Sequence, residues 1–270
     1  MELNGAGVVV TGAGSGIGAA LATRFASLGA RVVVNDLDPD AAARVAAEIG
    51  GLALPGDAAG AEGAPALVAA AREHLGAIDL FCANAGVGTG GGPEAPDDEW
   101  ELAWQVNVMA HVRAARALLP DWLRRGRGHF LATVSAAGLL TMLGAAPYSV
   151  TKHGALAFAE WMAITYGHRG ITTQALCPQG VRTPMLDATG PIGDIVLAPT
   201  AITPEAVADA VVDGLGAGPF LILPHPEAAT YYANRATEPD RWIGGMRTIQ
   251  RQVDGLGPAR PVEPGSAVAE

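Results

Sequence analysis

Val8-Val9-Val10-Thr11-Gly12-Ala13-Gly14-Ser15-Gly16-Ile17-Gly18-Ala19-Ala20-Leu21 carries the strongest structural signal near the start of the chain. A run of β-branched residues enters a glycine-dense turn, and a helical pattern leaves it. Glycine lets a chain turn tightly and lets its backbone approach a ligand closely. A helix starting there offers unpaired N–H groups and the positive end of its dipole to an anion. The pattern therefore reads as strand, phosphate-binding turn and helix, although Ile17 breaks the common G-x-G-x-x-G spacing.

Downstream the same alternation repeats. Apolar runs lie at Val32–Val34, Leu52–Leu54, Ile78–Cys82, Phe130–Val134, Ile171–Cys177 and Phe220–Leu223. They are continuously apolar rather than alternating, as strands buried on both faces are. Helical patterns stand between them: Ile17–Ser27, Pro39–Ile49, Gly63–Leu75, one long helix over Asp98–Leu123, Tyr148–Tyr166 and Pro204–Leu215. Alternating βα units predict an α/β fold, a parallel sheet with helices on both faces. No linker divides the chain, so residues 1–256 read as one domain. The Pro-, Gly- and Ala-rich residues 257–270 read as a mobile tail. Residues 187–200 read as an irregular, lid-like stretch.

The chain has 270 residues, 50% hydrophobic and only 16% charged, which excludes native disorder. Its net charge of −10 argues against nucleic acid or an anionic membrane surface as a partner. No run of ~18 uncharged apolar residues suggests a membrane span. Met1-Glu2-Leu3-Asn4-Gly5 lacks the basic start and apolar stretch of a signal peptide, and a cytoplasmic location is expected. Cys82 and Cys177 sit in apolar runs and read as free buried thiols. The six histidines are scattered, and no metal site is expected.

Two further signals carry chemistry. Asn35-Asp36 ends the second strand, about 20 residues after the glycines, where a carboxylate can accept both ribose hydroxyls of an adenosine and repel a 2′-phosphate. No Arg or Lys adjoins Asp36 in sequence. Tyr148 and Lys152 are four residues apart and share a helix face. A phenol titrates near pH ~10, and a neighbouring ammonium brings it toward neutrality, where it can serve as an acid/base. Ser135, closing the fifth strand, can hydrogen-bond a reacting oxygen.

Thr11-Gly12-xxx-Gly16-Ile17-Gly18, Asn84-Ala85-Gly86, Asn107, Ser135 and Tyr148-xxx-Lys152 together resemble the short-chain dehydrogenase/reductase family over residues 3–225. The resemblance implies a single Rossmann-type, doubly wound seven-stranded parallel sheet ordered 3-2-1-4-5-6-7. It also implies hydride exchange between a nicotinamide and a carbonyl/alcohol pair. Tyr148 would be the acid/base, with Lys152 lowering its pKa and holding the nicotinamide ribose. Ser135 would orient the substrate oxygen, and Asn107 would hold a water linking Lys152 to solvent. Cofactor contacts would come from Gly12, Gly14, Ser15, Gly16, Ile17 and Gly18, and from Asp36 favouring NAD. Asp57 and Ala58 would lie by the adenine, Asn84, Ala85 and Gly86 by the adenosine ribose, and Val181 and Thr183 by the carboxamide.

The family usually has Pro-Gly after the sixth strand, where this chain has Pro178-Gln179-Gly180. The Gln179 amide either reaches the substrate pocket or points to solvent. Ala137, Leu139, Leu140, Met142, Leu143, Met185 and Leu186 are expected to wall that pocket, and Tyr231, Tyr232 and Trp242 to close it or to form a subunit contact. None carries a fixed charge, so the expected substrate is a neutral, largely apolar secondary alcohol or its ketone. The apolar bulk of Trp100, Trp104, Phe158, Trp161 and Met162 predicts a homo-oligomer, a tetramer or a dimer. Alternatives are an epimerase or dehydratase on the same fold, and a redox sensor that binds NAD(H) without turnover.

Overall fold

The computed structural model describes residues 1–215 and 218–255. Seven parallel strands form one sheet in the order β3-β2-β1-β4-β5-β6-β7. They are β1 (Gly7–Thr11), β2 (Arg31–Asn35), β3 (Leu52–Ala53), β4 (Leu80–Ala83), β5 (Gly128–Thr133), β6 (Ile171–Leu176) and β7 (Leu221–Ile222). The order reverses between β1 and β4, so a crevice opens at the carboxyl ends of these strands, where open α/β sheets bind ligands.

Alternate strand residues face opposite layers. Val8, Val10, Leu80, Cys82 and Leu131 pack with α1 (Gly16–Ser27), α2 (Pro39–Ile49) and α9 (Pro204–Gly214). Val9, Phe81, Ala83, Phe130 and Ala132 pack with α3 (Gly63–Leu75), α5 (Ala110–Arg125) and α6 (Ala146–Tyr166). Each fully buried Val, Leu or Phe contributes roughly 1.5–3 kcal/mol, so both faces hold the sheet. Thr11 pairs with Asn35, which aligns the tip of β1 with that of β2 and leaves Asp36 beside the glycine turn.

Three expectations change. The long helix over 98–123 is two helices, α4 (Asp97–Trp104) and α5, joined by a π-helical turn at Gln105–Met109. Asn107 sits in this turn and is tied to its neighbours. Its Oδ1 accepts from the Val87 N–H at 2.9 Å, and its Nδ2 donates to the Val87 carbonyl and the Thr151 hydroxyl. Residues 187–200 are largely helical, as α7 (Pro184–Asp187), α8 (Gly190–Val196) and a 3-10 turn, Ala198–Thr200. After β7 come α10 (Glu227–Thr237) and α11 (Pro239–Asp254), which the apolar pattern does not announce. The tail expected over 257–270 lies outside the described residues. Among those described, no helix is long and apolar enough to cross a membrane.

Candidate active site

The glycine turn is built by close approach. A Cβ on Gly18 would stand 2.1 Å from the Gly12 carbonyl oxygen, so only glycine lets α1 start this near β1. Gly16 has φ +51°, and the Thr183 methyl covers it from the segment after β6. Ser15 precedes α1 without a side-chain cap, so the N-terminal N–H groups of the helix stay open to an anion. Asp36 is buried, and its carboxylate accepts from the Gly14 N–H at 2.8 Å and the Asp38 N–H at 3.0 Å. Val181, buried, bridges to Ile202 and fixes the segment that carries Thr183. A glycine cradle, an uncapped helix start and an acidic strand tip fit a dinucleotide.

The other end of the crevice is held by α6. Lys152 is fully buried; its Nζ donates to the Thr133 carbonyl at the end of β5 at 3.2 Å and lies 5.5 Å from the Tyr148 ring centre. Ser135 follows β5, and its Oγ accepts from the Ala137 N–H at 3.1 Å. The Ala136 N–H donates to the Pro178 carbonyl at 2.7 Å, which ties the Ser135 loop to the segment bearing Gln179. Burial, reinforced by the Lys152 ammonium, pushes the His111 imidazole down to about 3, so it is neutral beside the site. Burial pushes the Cys177 thiol up to about 12, which leaves it unreactive.

Ser135, Tyr148 and Gln179 open into one cleft of about 1430 Å³. Ala137, Leu140, Met142, Leu143, Met185 and Leu186 line it, and Tyr231 and Trp242 from α10 and α11 cover it with rings 6.2 Å apart. The two C-terminal helices thus shape the cleft of their own chain. Two expected wall residues lie elsewhere. Leu139 is buried in the core against α6, and Tyr232 is not part of the lining. The expectation of an uncharged wall is also corrected, because Glu94, Glu99, Glu227, Glu238 and Arg241 reach the cleft from the loop after β4, from α4 and from the C-terminal segment.

A family model for short chain dehydrogenases matches residues 6–191. The chain belongs to the short-chain dehydrogenase family. It is therefore an oxidoreductase. It is 38% identical over 238 residues to the 1-deoxy-11-beta-hydroxypentalenate dehydrogenase of Streptomyces exfoliatus, covering 84% of this chain and 86% of that one. Among solved structures it resembles a short chain dehydrogenase/reductase from Burkholderia phymatum in complex with NAD, at 26% identity and TM-score 0.79, over 98% of this chain and 99% of that one. It also resembles a 7α-hydroxysteroid dehydrogenase complexed with NADH and 7-oxo glycochenodeoxycholic acid, at 26% identity and TM-score 0.69, over 78% and 88%.

Within this short-chain dehydrogenase, several of the expected site residues also have partners inside the protein. Asn84 is held inside the protein. It is fully buried, with Nδ2 donating to the Thr11 and Gly12 carbonyls and Oδ1 accepting from the Thr133 hydroxyl. It ties together the tips of β1, β4 and β5, and the N–H groups of Asn84 and Ala85 also bond the Thr11 hydroxyl. Both amide hydrogens of Asn107 are likewise engaged, on the Val87 carbonyl and the Thr151 hydroxyl. Asp57 is exposed and accepts from the Ala59 N–H at 2.8 Å, shaping the turn before α3, with Ala58 buried behind it. Arg44 has no neighbour in sequence that suggests a role, yet from α2 its Nη2 donates to the Gly14 carbonyl at 2.9 Å. The basic group missing beside Asp36 in sequence is thus supplied at the same turn by the fold. Gln179 turns toward the cleft, and its partners come from the segment after β7, where no sequence pattern announced them.

Proposed function

We propose that this chain interconverts a neutral, largely apolar secondary alcohol and its ketone, using NAD(H). The observation that carries the proposal is the pairing of a buried lysine ammonium with a half-buried tyrosine that opens, beside Ser135, into one cleft. The chemistry that a nicotinamide supplies when bound along the crevice is hydride transfer. In the oxidation direction the Tyr148 phenolate takes the proton of the alcohol hydroxyl, and in reduction the phenol gives it back to the carbonyl oxygen. The Lys152 ammonium favours the ionised phenol. The Ser135 hydroxyl hydrogen-bonds the same substrate oxygen and orients it.

Gly12, Gly14, Ser15, Gly16, Ile17 and Gly18 would hold the pyrophosphate, and Asp36 the adenosine ribose, which supports NAD over NADP. The acidic cleft supports exclusion of anions: four lining carboxylates face a single guanidinium, so a hydroxy acid or a sugar phosphate would be repelled. Exposed Trp104 on α4, and Trp161 and Ile164 on α6, support a homo-oligomer.

The test is NADH formation with a panel of cyclic and aryl secondary alcohols, repeated with Tyr148→Phe. Turnover should fall at least ~100-fold in the variant while NADH still binds, the scale expected for loss of a general base. NADH binding with no turnover of any alcohol or ketone would favour the sensor reading instead.

A further inference from the structure

The cleft contains a polar pair that the proton-transfer group does not use. Gln179 stands directly after Pro178, whose carbonyl is bonded to the loop of Ser135, so it borders the reacting end of the cleft. Its backbone N–H donates to Nδ1 of the buried His225 at 3.1 Å, which fixes the residue from behind. Its Nε2 donates to Oε1 of Glu227 at 3.1 Å. Glu227 lies in the first turn of α10, and both side chains line the cleft. A carboxylate can only accept, so the Gln179 nitrogen must face it and the amide oxygen must point away. Gln179 Oε1 and Glu227 Oε2 have no hydrogen-bond partner among the described residues. Two acceptor oxygens are thus offered to whatever fills an otherwise largely apolar space. Leaving such acceptors unpaired against a bound apolar ligand would oppose its binding.

We infer that Gln179 and Glu227 form a specificity site for a second hydroxyl group, so that the preferred substrate is an apolar secondary alcohol or ketone carrying a further hydroxyl. A substrate hydroxyl donates to the Glu227 carboxylate and can accept the second Nε2 hydrogen of Gln179, which a hydrocarbon at that place cannot do. This inference rests on the alcohol-oxidation reading above, and its test is chosen to separate the two.

Dissociation constants are measured by calorimetry on the NADH complex of the Tyr148→Phe protein, where no turnover is needed. The probes are cyclohexanol and the 1,2-, 1,3- and 1,4-cyclohexanediols. At least one diol should bind about tenfold more tightly than cyclohexanol, the scale of a hydrogen bond to a charged group. With Glu227→Ala, and separately with Gln179→Gly, that ratio should fall to within about threefold of one. On the unsubstituted enzyme, kcat/KM for the same pair should follow the same ratio. Equal affinity for cyclohexanol and every diol, or a diol preference retained in both variants, would overturn the inference. Absence of turnover with a diol that binds in this manner would refute the alcohol-oxidation reading and leave the specificity site standing.

Discussion

Replacing Asp36 by asparagine should reverse part of the cofactor preference, and the structure sets the size of the effect. The carboxylate is buried and held by the Gly14 and Asp38 N–H groups at 2.8 and 3.0 Å, so it cannot swing away from a phosphate placed on the adenosine ribose. Two unit charges 4 Å apart repel by about 1 kcal/mol in water and about 4 kcal/mol at the effective dielectric near a protein surface. The native protein should therefore bind NADH at least about tenfold more tightly than NADPH, since about 1.4 kcal/mol is a factor of ten. The Asp36→Asn side chain keeps an oxygen for the Gly14 N–H but exchanges charge-assisted bonds to the ribose for neutral ones, a loss of about 1 kcal/mol for NADH. NADPH gains at least the repulsion removed, so the ratio of the two dissociation constants should move by about 50-fold or more. Arg44, bonded to the Gly14 carbonyl at 2.9 Å, stands where it can meet the phosphate, and adding Arg44→Ala should cancel much of the NADPH gain. Fluorescence titration of both cofactors at low and high salt gives the constants directly. Equal constants in the native protein, or an unchanged NADPH affinity in Asp36→Asn, would refute the reasoning.

Two further outcomes are expected. Burial holds His129 down at about 4 and His111 at about 3, against 6.5 in the unfolded chain. As pH falls below 6.5 the unfolded chain takes up protons that the folded one refuses, so stability drops by about 1.4 kcal/mol per pH unit per histidine until the folded values are reached. Urea unfolding between pH ~7 and ~5 should show this slope, and His129→Gln should remove about half of it; a flat profile in the native protein would contradict the burial of both rings. Light scattering at micromolar concentration should give a multiple of the monomer mass, and Trp161→Glu with Ile164→Glu should lower it; a native monomer would reject the apolar contact.

The strand and helix order was legible because each apolar run is long enough to span a buried strand and each is followed by a 3.6-residue pattern. The seven strands lie where those runs stand, with boundaries shifted by a few residues. Phe158 and Trp161 stack on α6 with Trp161 exposed and Phe158 partly packed on the core, while Met162, grouped with them for assembly, is fully buried. A helix pattern alone places neighbouring residues on adjoining faces, and only the packing partner decides which of them is covered.

Residues close together in the chain spoke for themselves: the glycine turn, Asp36 at a strand tip, and Tyr148 one turn before Lys152. Their contacts are short-range consequences of backbone geometry, so spacing encodes them. Asn84, Asn107, Arg44, Gln179 and Glu227 are different. Whether an asparagine meets a ligand or a neighbouring carbonyl, and whether a glutamine faces solvent or a carboxylate 48 positions away, depends on which segments the fold brings together. Hydrophobic period and local spacing suffice for the strands, the glycine turn and the tyrosine–lysine pair. The polarity of the cleft is set by tertiary contacts, because its charged walls arrive from the loop after β4, from α4 and from the two last helices, which share no local pattern with the residues they meet.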